Sequence, residues 1–185
     1  TSWTRTLSAD IKDLKITTGF ANVYIAASTN TIYRSLDDGD TFTAATFNGG
    51  TTVPDSRRIA LATTKATAGL VYFVSYNQSS SKNGFNGVYK STDSGLSFTK
   101  TAENDDIFGG SQSWYDLAIT VSDTDPNTLF IGVLNIWKST DGGDNFSVIN
   151  SWSSPTSPSY THADIHFLGF INGKFFAGTD GGVYV

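Results

Sequence analysis

Lys138-Ser139-Thr140-Asp141-Gly142-Gly143-Asp144-Asn145-Phe146 decides the reading of this chain, because the same frame occurs twice more. Arg34-Ser35-Leu36-Asp37-Asp38-Gly39-Asp40-Thr41-Phe42 and Lys90-Ser91-Thr92-Asp93-Ser94-Gly95-Leu96-Ser97-Phe98 align with it without gaps. All three reduce to basic-Ser-x-Asp-x-Gly-x-x-Phe. The aspartates at 37, 93 and 141 are spaced by 56 and 48 residues, which is the period of propeller blades rather than of helical repeats.

Outward from each frame, the preceding residues form short β-type runs ending in an aromatic: Thr31-Ile32-Tyr33, Gly87-Val88-Tyr89 and Asn135-Ile136-Trp137, with a fourth at Gly182-Val183-Tyr184-Val185. Before these come Val23-Tyr24-Ile25-Ala26, Val71-Tyr72-Phe73-Val74, Leu129-Phe130-Ile131-Gly132 and Lys174-Phe175-Phe176-Ala177, each set off by a glycine, asparagine or serine turn. Earlier still lie Asp13-Leu14-Lys15-Ile16, Arg58-Ile59-Ala60-Leu61, Asp116-Leu117-Ala118-Ile119 and Asp164-Ile165-His166-Phe167. The expectation is therefore an all-β chain forming a β-propeller of four-stranded antiparallel blades. Inner strands A are followed by B and C, and the repeated turn leads into D at its phenylalanine. The blades are placed at about 10–47, 57–101, 115–150 and 163–185, in one domain over 1–185. Residues 1–9, with Ser2-Trp3-Thr4-Arg5-Thr6-Leu7, are expected to supply an orphan outer strand. Propellers close with about four to eight blades, so the segment is expected to be part of a larger propeller. Thr1 is read as the mark of a removed leader or of a chain cut from something longer.

Composition agrees. Serine, threonine and glycine make up about a third of the 185 residues, while glutamate occurs once, at Glu103, and methionine not at all. Surface helix formers are missing and strand and turn residues abound, so long helices are not expected. The net charge of −5 and the scattered Lys and Arg argue against a nucleic acid or an anionic membrane as partner. No apolar run reaches the length of a membrane span. Without cysteine there is no disulfide framework and no thiolate chemistry.

Within the repeated turn, the aspartate carboxylate is expected to accept backbone amides two residues on. The glycine supplies a positive φ, and the phenylalanine enters the core. Ser35, Asp37, Gly39 and Phe42, then Ser91, Asp93, Gly95 and Phe98, then Ser139, Asp141, Gly143 and Phe146 are thus structural. A calcium reading of Asp37, Asp38 and Asp40 lacks the spaced ligands and closing glutamate of a calcium loop.

This constellation resembles the Asp-box repeat (BNR, sialidase-type) of sialidases, sortilin-type receptors and xyloglucan-cleaving glycoside hydrolases, and the resemblance covers the whole chain. It implies the propeller fold and places the boxes away from the ligand face. Thr161-His162-Ala163-Asp164-Ile165-His166 and Gly178-Thr179-Asp180-Gly181-Gly182-Val183-Tyr184 are similar to segments of large secreted bacterial propeller proteins. Many of those belong to the Bacteroidetes, are described as glycosyl-hydrolase-like and carry a type IX sorting domain. The resemblance implies a secreted or cell-surface location.

Propeller topology sends the D-to-A and B-to-C loops to one face. Candidates for chemistry therefore lie in 48–57, 76–86, 102–115, 150–163 and the turn at Asp180. Trp114, Tyr115, Trp152 and Tyr160 are amphipathic rings suited to stacking on sugars or to packing between blades. Asp13, Arg58, Asp116 and Asp164 fall in one column at the starts of the A strands. Asp116 and Asp164 are the candidate acid and base of glycoside hydrolysis, with strand-entry caps as the alternative. His162, Asp164 and His166, at i, i+2 and i+4, would share one face of a strand. They could then hold a divalent ion, or brace the neighbouring glycine turn. No metal and no cofactor is expected from the pattern. Sialidase chemistry lacks its arginine triad, since the four arginines are Arg5, Arg34, Arg57 and Arg58. Gly-x-Ser-x-Gly and phosphate-cradling loops are also missing.

The reading is a binding or scaffold module that contacts a polysaccharide or another extracellular polymer, and the net charge favours a neutral one. The alternatives are half of a xyloglucanase-like glycoside hydrolase and a sortilin-like protein-binding propeller. The expected partners are a polysaccharide or extracellular protein and the rest of a larger propeller.

Overall fold

In the computed structural model, which describes residues 2–17, 23–47 and 49–185, each short apolar run pairs with the next across a tight turn. In chain order the strands are β1 (Asp13–Ile16), β2 (Tyr24–Ala27), β3 (Ile32–Ser35), β4 (Thr43–Ala44), β5 (Thr46–Phe47), β6 (Arg58–Thr63), β7 (Val71–Tyr76) and β8 (Phe85–Ser91). They continue as β9 (Ser97–Lys100), β10 (Ala118–Val121), β11 (Leu129–Gly132), β12 (Ile136–Ser139), β13 (Ser147–Val148), β14 (Ile165–Ile171), β15 (Lys174–Thr179) and β16 (Gly182–Tyr184). Four sheets result, in the orders β1-β2-β3-β4, β5-β9-β8-β7-β6, β10-β11-β12-β13 and β14-β15-β16. They are arranged as the blades of a four-bladed β-propeller. The innermost strands lie side by side, β1 against β6, β6 against β10 and β10 against β14. Among the described residues there is no helix, and so none long and apolar enough to cross a membrane.

Packing between blades explains why the inner runs are so apolar. β7 is buried along its whole length. Val71 and Phe73 join Ile25, Ile32, Phe47, Ile59 and Phe98 in the core between the first two sheets. Tyr72, Val74 and Tyr76, on the opposite face by strand alternation, join Phe85, Phe108, Leu129 and Ile131 in the core between the second and third. Phe130, Ile136, Ile165, Leu168 and Ala177 form the third core. Beyond these, Leu14, Ile16, Phe167, Ile171 and Val183 on the first and last sheets remain exposed.

The repeated turn has one geometry in all three copies, and it divides the work differently from the expectation. The serine hydroxyl, not the carboxylate, accepts the near amides: Gly39 N–H donates to Ser35 Oγ at 3.0 Å, Gly95 to Ser91 at 2.9 Å and Gly143 to Ser139 at 3.0 Å. The carboxylate reaches four residues on, from Asp37 to Thr41, Asp93 to Ser97 and Asp141 to Asn145, and also takes the serine O–H. These donors hold the Asp37 and Asp141 carboxyls down at about 2. The glycines have φ of +91°, +78° and +94°, a region that L side chains enter only with strain. Both oxygens of Asp37 are engaged within the turn. The lone glutamate serves a turn as well, since buried Glu103 accepts the Phe146 and Asp105 amides.

Two further expectations are corrected. Residues 2–12 form no strand and Trp3 is 96% exposed. Among the described residues the last sheet therefore ends at β16, without the outer fourth strand. Phe98 is buried, but Phe42 and Phe146 are only half-buried. In the first blade the outer strand breaks at Ala45, and its continuation β5 crosses to run parallel with β9. That places Phe47, rather than Phe42, against Phe98 at 5.5 Å.

Candidate functional site at the channel mouth

The inner strands surround a channel cavity of about 310 Å³, lined among others by Asp13, Lys15, Arg58, Leu61, Leu117 and His166. Asp13 and Arg58, which begin β1 and β6, line it, while Asp116 and Asp164 precede the inner strands β10 and β14. Asp13 accepts the Leu61 amide at 2.8 Å and pairs with Lys15 at 2.7 Å. Arg58 Nη1 donates to the carbonyls of Trp114 and Tyr115 at 2.8 and 2.7 Å. Asp116 and Asp164 are joined through Gln112, whose Nε2 donates to Asp116 Oδ2 at 2.8 Å and to Asp164 Oδ1. This stitching uses the column of charges expected at the channel, but for holding blades together.

Gln112 thus holds the Asp116 and Asp164 carboxyls to one amide group, and of the two candidate acid and base residues Asp116 is sequestered. Asp116 has no exposed surface, its Oδ1 has no partner among the described residues, and burial pushes its carboxyl up to about 6 against the lowering effect of Gln112. A carboxylate without exposed surface cannot touch a glycosidic oxygen. Because the folded-state value is raised above 3.8, ionising Asp116 opposes folding. Its contribution to stability is greatest below that value and declines as pH rises through about 6. Asp116→Asn, which cannot ionise, is accordingly expected to gain thermal stability relative to the unsubstituted chain between about pH 4 and pH 7, at about 2–4 °C per kcal/mol. A melting-temperature difference that is flat across that range would show that Asp116 is not held in this environment.

The shared strand face of His162, Asp164 and His166 does not form. Asp164 has φ +62° and β14 begins only at Ile165, with a bulge between Ile165 and Phe167, so the i, i+2, i+4 alternation does not hold. His162 Nδ1 lies 3.0 Å from the Ala163 carbonyl and its ring abuts Gly181. His166 Nε2 instead lies 2.7 Å from Asp180 Oδ1, on the β15–β16 turn. Among the described residues no three His, Cys, Asp or Glu side chains converge on a metal-sized site.

The four aromatics separate into two groups. Trp114 is 66% exposed and Tyr115 47% exposed, with ring centroids 5.7 Å apart. The Tyr115 ring meets His166 edge-on at 4.8 Å. Nearby Asp180, Asp164 and Asp116 charges, with partial desolvation, raise the Tyr115 hydroxyl above its ordinary value. Trp152 donates its amide to Asn135, in the β11–β12 turn, and Tyr160 packs on Tyr184 over a cavity of about 210 Å³ that includes Ile136, Ile149 and Phe175. Gly110, in the Trp114 loop, abuts Leu134 of the same β11–β12 turn. Both loops thus flank one turn, yet the rings of the two groups are not in contact. Beside Trp114 a third cavity, about 390 Å³, is lined by Lys12, Thr29, Arg57, Arg58, Tyr76, Gln78 and Trp114. Nothing in the local sequence marks Gln112 or this set, because topology alone brings residues 12, 57 and 114 together.

Comparison with solved structures finds the same fold in proteins of distant sequence. The chain is similar to YCF48 from Cyanidioschyzon merolae, at 15% identity and a TM-score of 0.62 over 97% of this chain and 54% of that one. It is similar to the GH74 enzyme of Niastella koreensis, at 19% and 0.57 over 94% and 26%. A third likeness is to the GH74 xyloglucanase from Xanthomonas campestris, at 15% and 0.50 over 85% and 25%. The chain spans about half the length of the first and about a quarter of the other two. No family model and no curated protein sequence matches it.

Proposed function

We propose that the chain is a glycan-binding module of a secreted or cell-surface propeller protein, holding polysaccharide at the channel mouth against Trp114 and Tyr115. The observation that carries this reading is the pinning of the platform. Arg58 takes both backbone carbonyls of the aromatic pair, so exposed rings stand on a fixed backbone and little ordering entropy remains to be lost on binding. A cavity of about 390 Å³ adjoins Trp114, within the size range of small-ligand pockets. The repeated turns, which the resemblance to Asp-box proteins assigns a structural role, have their serine and aspartate side chains engaged in internal hydrogen bonds. The likeness to GH74 enzymes favours a polysaccharide over other extracellular polymers. Exposed Leu14, Ile16, Phe167, Ile171 and Val183 favour further propeller structure as the neighbour of the first and last sheets.

Affinity electrophoresis through gels carrying neutral or acidic polysaccharides tests the reading. Trp114→Ala is expected to weaken retention by about tenfold, equivalent to ~1.4 kcal/mol, with an unchanged melting temperature because the ring is mostly exposed. Trp152→Ala should have the smaller effect, since its loop lies apart from the pinned pair. Retention unaffected by Trp114→Ala would remove the site from this face.

A further inference from the structure

We infer that the cavity beside Trp114 takes an acidic sugar of the bound polymer, one carrying a carboxylate or a sulfate ester. This inference rests on the glycan-binding reading and narrows its ligand class. Three of the twelve basic side chains of an otherwise acidic protein line this one cavity, together with Thr29, Tyr76, Gln78 and Trp114, and no carboxylate lines it. Arg57 is exposed and has no carboxylate within ion-pair distance among the described residues. Arg58 commits Nη1 to two carbonyls and forms no ion pair among the described residues. Lys12 pairs with Asp10 at 2.7 Å, but both side chains are well exposed, and such a surface pair is weak enough to exchange for a ligand anion. Asp13 and Asp116 act on Arg58, yet neither lines this cavity, and each already has a partner in Lys15 or Gln112.

The charge of the whole chain does not oppose this. Exposed charges are screened over about 8 Å at physiological ionic strength, so a ligand in the cavity meets the local cations rather than the net −5. Guanidinium groups offer paired N–H donors that match a carboxylate or sulfate edge. An aromatic ring alongside gives the sugar face a surface to lie on. The expectation of a neutral polymer, drawn from net charge, is replaced by one drawn from the local field.

The test measures retention of the intact chain and of Lys12→Gln/Arg57→Gln on polygalacturonate, dextran sulfate, uncharged dextran and polyglutamate, at about 50 and about 200 mM salt. Both substituted side chains are exposed, so the double variant should keep its melting temperature. Acidic polysaccharides are expected to be retained at least about tenfold more tightly than dextran. The double variant should lose most of that margin, and higher salt should reduce it several-fold. Tighter retention on polygalacturonate identifies a carboxylate as the recognised group, and tighter retention on dextran sulfate a sulfate ester. Equal retention on dextran, or a double variant that binds acidic polymers as before, overturns the inference while leaving the glycan reading in place. Polyglutamate held as tightly as polygalacturonate overturns it in favour of an acidic peptide. Retention on none of the polymers removes the glycan reading itself.

Discussion

Phe73→Ala is expected to lower the free energy of unfolding by about 3–5 kcal/mol, a large share of the ~5–15 kcal/mol of a typical domain. The Phe73 ring has no solvent exposure. It stacks on Tyr89 at 4.5 Å and 8°, and meets Phe98 at 5.0 Å and Phe47 at 5.8 Å edge-on. Those partners come from β8, β9 and from β5, the piece of the first blade's outer strand that crosses to the second. Removing the ring therefore opens a void where two blades meet, and surrounding side chains held on paired strands collapse into it poorly. Urea denaturation followed by tryptophan fluorescence measures the loss. A change below about 1 kcal/mol would show that the first two blades are not packed through this aromatic cluster.

Gly132→Ala is expected to cost about 1–3 kcal/mol, the range for forcing extra volume into a packed interior. A Cβ at Gly132 would lie 2.5 Å from Ile165 Cγ2 and 2.8 Å from Ile165 Cβ. Ile165 is fully buried on β14, and its amide donates to the Val133 carbonyl at 2.8 Å. The atom in the way is thus a branched carbon next to the backbone, not the end of a flexible chain. Relief requires the third and fourth blades to move apart. A thermal melt showing Gly132→Ala as stable as the unsubstituted chain would contradict the close approach of β11 to β14.

What could be read from the residues, and what could not, follows from how far each signal reaches. The three turns are encoded by contacts four residues apart, so Ser91, Asp93 and Gly95 announce their geometry locally. The aromatic C-strand runs and the doubly buried Val71-Tyr72-Phe73-Val74 run likewise carry their burial in their composition. The starts of β10 and β14 were less legible. Asp116 and Asp164 read as strand residues in alignment with Asp13, but the strands begin after them, at Ala118 and Ile165, and Asp164 adopts a positive φ. That single dihedral removes the shared face of His162, Asp164 and His166. The crossing of β5 to β9 was illegible because it depends on the neighbouring blade. The cationic cavity is equally hidden, because Lys12 lies far in sequence from Arg57 and Arg58 and net charge alone favours a neutral ligand.

The claim that ligand binding belongs to the face carrying Trp114, and not to the face carrying the repeated turns, is tested most directly by a crystal structure of the chain soaked with an oligosaccharide of galacturonate. Sugar density is expected against the Trp114 ring, with an acidic group directed at Arg57 and Lys12. Ordered sugar at Ser35-Asp37, Ser91-Asp93 or Ser139-Asp141, with the Trp114 face empty, would contradict it.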